Sequence, residues 1–121
     1  MNIDWDQLIT REMKEAEKRA ALLALAKTEL TERNAMAALQ IGRIQDRIDT
    51  LGYGIDAGEA TAEDEAEQAA LLITVKAWKA YKFALGKVTS QTAWPAAPNW
   101  PAVPLIPDIE ASPMARDAET I

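Results

Sequence analysis

The sequence predicts an all-α protein in which a long helix and an antiparallel second helix form a hairpin, followed by an extended proline-rich segment. Residues 5–51 contain no proline and a single glycine, and they are rich in strong helix formers. Three of the five glycines lie between residues 52 and 60, which is typical of a turn. All six prolines follow residue 94, and five of them recur at every third position up to Pro107.

The first helix is predicted over residues 1–51, with Asp4 or Asp6 as its N-cap and Gly52 as its stop. Its apolar residues alternate in steps of three and four, and only Lys27 and Asn34 interrupt them. This heptad seam consists of Ile9, Met13, Ala16, Ala20, Leu23, Leu30, Ala37, Ile41, Ile44, Ile48 and Leu51. A heptad repeat favours packing against another helix, within the hairpin or in a homo-oligomeric coiled coil. Two interpretations of Lys27 and Asn34 are equally consistent with the sequence. They could fix the register or the oligomeric state of the packed helices, or they could mark a place where the helix faces water or bends.

The second helix is predicted over residues 61–88, after a glycine-rich turn at residues 52–60. Thr61 and Asp64 have the spacing of a capping box, acidic residues crowd the start of the helix and lysines its end. A short turn makes the two helices antiparallel neighbours. Their facing apolar positions predict a structural core of Ile41, Ile44, Ile48, Leu51, Leu71, Val75, Trp78, Tyr81 and Leu85.

The first helix is predicted to extend well beyond the second. At 1.5 Å per residue, the first is about 70 Å long and the second about 40 Å, so the N-terminal half is left without a partner. Residues 20–26 are apolar around the whole helix, and such a helix needs neighbours. Self-association, the returning proline segment or a partner protein would each bury them. We therefore predict that Leu22 and Leu25 bind a partner.

The segment at residues 89–109 has the three-residue period of a polyproline II helix. Five prolines from Pro95 to Pro107 would then share one edge, and the residues that precede them a second edge. Such a segment has no core of its own, so it is expected to lie on the chain's own helices or on a partner. The predicted contact residues are Trp94, Pro95, Trp100, Pro101, Val103 and Ile106. The alternative, an unstructured tail, is expected only for residues 110–121.

Composition excludes most other classes of function. The 121 residues carry a net charge of -6 and suffice for one modest domain. Cysteine and histidine are absent, which removes disulfides, thiolate nucleophiles, histidine bases and Cys/His metal sites. The paired carboxylates at Asp46 and Asp49 have no neighbouring nucleophile. We therefore expect no catalytic residue, no cofactor and no metal. The acidic charge and the lack of a long apolar run further predict no nucleic acid, no membrane and a cytoplasmic location.

Four stretches resemble, in order and spacing, the C-terminal region of tail fibre assembly proteins of tailed bacteriophages. They are residues 44–51, 58–65, 77–88 and 94–95, and the resemblance covers about residues 35–101. The helix with Trp78-Lys79-x-Tyr81, followed by Trp94-Pro95, is the most specific part.

The resemblance implies a chaperone that binds the C-terminal region of a trimeric tail fibre and assists its folding or trimerisation. Its place of action would be the cytoplasm of the bacterial host, and some members of the family stay bound to the fibre tip of the virion. The fibre of a phage-tail-like bacteriocin is an equivalent client. Two alternatives stay open: a structural coiled-coil component of such a particle, and a helical adaptor whose prolines are read by an SH3-like domain.

Overall fold

The computed structural model describes residues 4–109, and within them it confirms the all-α helical hairpin. Helix α1 spans Trp5–Asp56 and helix α2 spans Ala62–Leu85, followed by a short 3₁₀ helix at Val88–Ser90. No strand occurs in this part of the chain. After Ser90 the chain turns and runs back along the hairpin as an extended segment to Ile109. The predicted flexible tail, residues 110–121, lies outside the described residues.

Helix α1 begins after Asp4, one of the two predicted N-caps, and ends later than predicted. The Asp4 carboxylate accepts a hydrogen bond from the backbone N–H of Gln7 at 3.1 Å, which caps the helix. The predicted stop at Gly52 is wrong, because the helix continues to Asp56 and the turn is correspondingly shorter. Gly52 lies against α2, where an added Cβ would be 3.3 Å from the amide nitrogen of Gln68. The residue that turns the chain is Gly58, whose φ of 73° favours glycine.

Helix α2 begins with the predicted capping box. The Thr61 hydroxyl accepts from the backbone N–H of Asp64 at 3.1 Å, and the Asp64 carboxylate accepts from the backbone N–H of Thr61 at 2.9 Å. Hydrogen bonding to the Asp64 carboxylate, from the Thr61 backbone N–H first and from the Thr61 side chain second, holds the pKa of Asp64 below its ordinary value. The helix ends at Leu85, three residues before the predicted end at residue 88, because Gly86 and Lys87 form a turn.

The two helices pack antiparallel around one apolar core. The structure buries eight of the nine residues expected there, and Ile41 is half-buried against them. Ala37, Val88 and Ile109 complete the core cluster. Polar pairs at both ends align the helices: Arg47 makes a bidentate ion pair with Glu67, and Lys82 donates to the side chain of Asn34 at 3.2 Å. Asn34 therefore faces α2, whereas Lys27 is exposed.

The N-terminal part of α1 extends beyond the rest of the molecule. Helix α1 has 52 residues and α2 has 24, which correspond to about 78 Å and 36 Å. We call residues 5–24 the overhang. Every residue from 5 to 21 is exposed, and Leu22 and Leu23 are half-buried. Within residues 4–109, neither helix has the length and apolarity that a membrane crossing requires.

Candidate partner-binding surface

The Trp/Pro segment, residues 91–109, is held against both helices of the hairpin. The indole nitrogen of Trp78 on α2 donates to the carbonyl of Leu105 at 2.9 Å. The guanidinium of Arg43 on α1 donates to the carbonyl of Pro107 at 2.5 Å. Ile109 then enters the core and is buried. The segment therefore packs on the chain's own helices, one of the two arrangements that the sequence leaves open.

Prolines form the edge of this segment that faces the hairpin. Four of the five prolines predicted to share an edge do so. Pro98, Pro101, Pro104 and Pro107 are all half-buried at three-residue spacing, so this edge faces the hairpin. Pro95 lies outside the row, in a turn at residues 92–96, and its peptide bond with Trp94 is cis. The turn is closed from both sides by the Gln91 side chain, which donates to the carbonyl of Asn99 at 2.8 Å and accepts from its N–H at 2.7 Å.

Trp94 and Trp100, expected to bind a partner, are packed largely within the chain. Both indoles are half-buried against the core, and they meet edge to face with ring centroids 6.3 Å apart. The Arg33 guanidinium lies 4.7 Å from the Trp100 ring centroid, a cation–π contact with α1. The turn at residues 92–96 makes this pairing, and the three-residue period gave no sign of it.

The predicted residues Leu22, Leu25 and Pro95 come together at the base of the overhang. With Ala26, Glu29 and Pro98, they line an open depression of about 440 Å³. Leu25 is exposed, Leu22 and Pro95 are half-buried, and Ala26 is buried. The returning segment thus covers only the end of the apolar stretch at residues 20–26, and it leaves Leu25 in water.

Three large apolar side chains point away from the hairpin on the outer side of the segment. Val103, Leu105 and Ile106, which we call the outward row, are 54%, 80% and 53% exposed. The sequence singled out Val103 and Ile106 but missed Leu105. Its side chain lies outward while its carbonyl binds Trp78, and only the need of a buried indole N–H for an acceptor could have signalled that arrangement.

The overhang carries a second group of exposed apolar side chains. Trp5, Ile9 and Met13 follow one another at four-residue spacing and are all exposed. Trp5 was not among the predicted contact residues, although it lies one helical turn before Ile9 and beside the heptad seam. Among residues 4–109, no group of three acidic, histidine or cysteine side chains is placed to hold a metal ion.

Searches against protein-family models, curated proteins and solved structures find no match to this chain. The resemblance to tail fibre assembly proteins stays a prediction from the sequence.

Proposed function

We propose that this protein is an assembly chaperone for the tail fibre of a bacteriophage or a phage-tail-like bacteriocin. It would bind the C-terminal region of the fibre in the host cytoplasm, before or during trimerisation, and could remain on the fibre tip. The observation that carries the proposal is the outward row, in which three large apolar side chains are held in water on a segment fixed to a stable hairpin. The resemblance in residues 35–101 supplies the class of client.

The outward row suits reversible binding of an apolar surface. Contiguous exposed apolar residues on a small protein mark interaction sites. Trp78 and Arg43 fix the backbone on either side of Ile106, so little conformational entropy is lost on binding. Burial of three aliphatic side chains contributes on the order of 5 kcal/mol before the costs of association. That magnitude favours a contact that can form and dissociate during assembly.

Co-expression with the C-terminal region of the neighbouring fibre gene product tests this proposal. We expect serine at Val103, Leu105 and Ile106 together to abolish co-purification, because the apolar contact area is removed. The matched control places serine at Leu72 and Ile73, which are also exposed apolar residues but lie on α2. Circular dichroism verifies that both variants keep the hairpin. Co-purification that survives the outward-row changes, or is lost equally in the control, would contradict the proposal.

A structural component of a virion or tail-like particle is the second candidate. The exposed heptad positions of the overhang favour it, because particle proteins commonly join through such helices. Deletion of the gene separates the two: without a structural component the particle loses its integrity, whereas without the chaperone only the fibre fails to assemble. The adaptor alternative loses support, since the half-buried prolines face the hairpin and are not free to enter an SH3-like groove.

A further inference from the structure

From Ile9 to Ala20 the overhang presents a heptad seam that nothing in the described chain covers. Ile9, Met13, Ala16 and Ala20 all lie on it and are exposed. Farther along α1 the same seam is buried by α2, at Ile44, Ile48 and Leu51. One continuous packing surface is therefore used along one part of the helix and open along the other.

We propose that the overhang binds the overhang of a second copy of this chain, with the two helices antiparallel. In the heptad, Met13 and Ala20 occupy a positions and Ile9 and Ala16 occupy d positions. In an antiparallel coiled coil each a residue faces a d residue of the other helix. One register places Ile9 opposite Ala20 and Met13 opposite Ala16 of the second copy, and the two-fold axis repeats both pairs. In these two pairs a large side chain faces a small one, which fills the interface without crowding, and at each end Leu23 faces Asp6 of the second copy. The overlap covers residues 5–24, about 30 Å of helix.

Charges that flank the seam favour this orientation. Glu12 and Arg19 both occupy g positions, on the same side of the seam. Antiparallel pairing brings Glu12 of each copy beside Arg19 of the other, giving two attractive contacts. Parallel pairing would instead bring Glu12 beside Glu17 of the second copy, twice, and like charges repel. The sign of these residues therefore selects the antiparallel dimer.

The end of each overhang meets an apolar surface on the second copy. In this register Trp5 lies level with residue 24 of the other chain, next to the depression lined by Leu22, Leu25, Pro95 and Pro98. Trp5 is 61% exposed in the single chain, and tryptophan is enriched among residues that dominate binding energy. The depression is thus placed to receive the indole at the end of the helical overlap.

Sedimentation equilibrium of the full chain at micromolar concentration tests the dimer. We expect a dimer for the natural sequence and at least tenfold weaker association for Ile9→Asp combined with Met13→Asp. The control, Gln7→Asp combined with Leu8→Asp, adds the same charge on the outer side of the helix and is expected to leave the dimer intact. A monomeric natural chain, a larger oligomer, or a dimer that survives the seam changes would each overturn the proposal.

Charge reversal and cysteine pairing test the orientation. We expect Glu12→Arg and Arg19→Glu each to weaken the dimer several-fold, and their combination to restore it. A parallel dimer would instead be strengthened by Glu12→Arg alone. The natural chain has no cysteine, so the variant with both Ile9→Cys and Ala20→Cys should form a covalent dimer on oxidation, and Ile9→Cys alone should not. Efficient cross-linking of Ile9→Cys alone would refute the antiparallel arrangement.

Discussion

Trp78→Phe tests whether one buried indole joins the Trp/Pro segment to the hairpin. The Trp78 side chain is fully buried, donates to the carbonyl of Leu105 at 2.9 Å and meets the Tyr81 ring edge to face. Phenylalanine keeps an aromatic ring beside Tyr81 but removes the donor, which costs about 1 kcal/mol. The volume left by the smaller ring costs about 1 to 2 kcal/mol more. We expect the free energy of unfolding to fall by about 2 to 3 kcal/mol.

Urea unfolding followed by far-ultraviolet circular dichroism measures this loss, with Phe83→Leu as the control. Phe83 is 70% exposed on α2, so its change should cost less than about 0.5 kcal/mol. A second readout is amide hydrogen exchange over residues 99–107, which should become faster when the segment loosens. If Trp78→Phe costs no more than the control and leaves this exchange unchanged, the indole does not hold the segment.

Three further predictions concern the hairpin. Ile44→Ala should destabilise the protein by about 3 kcal/mol in urea unfolding, because Ile44 is fully buried, whereas Ile73→Ala, at 75% exposure, should cost under about 0.5 kcal/mol. The hydrogen bonds from Thr61 lower the pKa of Asp64, so the ionised carboxylate should contribute its full stabilisation above pH 3.8, the ordinary pKa of the group. That stabilisation should be lost as the pH falls through the lower pKa of the folded state. Asp64→Asn should therefore flatten this part of the profile of unfolding free energy against pH. Gly42→Ala should raise the free energy of unfolding by about 0.5 to 1 kcal/mol, because alanine favours the helix and an added Cβ there meets nothing within 4 Å. A lower free energy of unfolding would reveal a contact absent from this structure.

The two proposed interfaces lie at different places along α1 and do not compete. The overhang ends near residue 24, whereas the outward row lies beside Arg43 and Trp78. Met13 and Arg43 are 30 residues apart on one helix, which corresponds to about 45 Å. An antiparallel dimer would therefore carry one outward row at each end. The serine variant of the outward row should bind no fibre while it remains dimeric.

Much of the hairpin could be predicted from local sequence, and the contact surface could be predicted only in part. The capping box at Thr61 and the three-four spacing of the core depend on residues close together in the chain. Gly52 misled the prediction of the first helix end, because a glycine stop signal does not report that the residue lies against α2 within a helix that continues to Asp56. Trp94 and Trp100 pack against each other and against the core, and this pairing follows from a turn that periodicity does not encode.

The sequence by itself determined the helices and the three-residue rhythm of the proline segment, since propensity, capping and repeat spacing act over a few residues. Only the tertiary structure decided which side of that segment faces inward. The donors on Trp78 and Arg43 lie 27 and 64 residues from the carbonyls that they bind, so their choice depends on how the whole chain packs. Those two hydrogen bonds turn the prolines toward the hairpin and leave Val103, Leu105 and Ile106 in water.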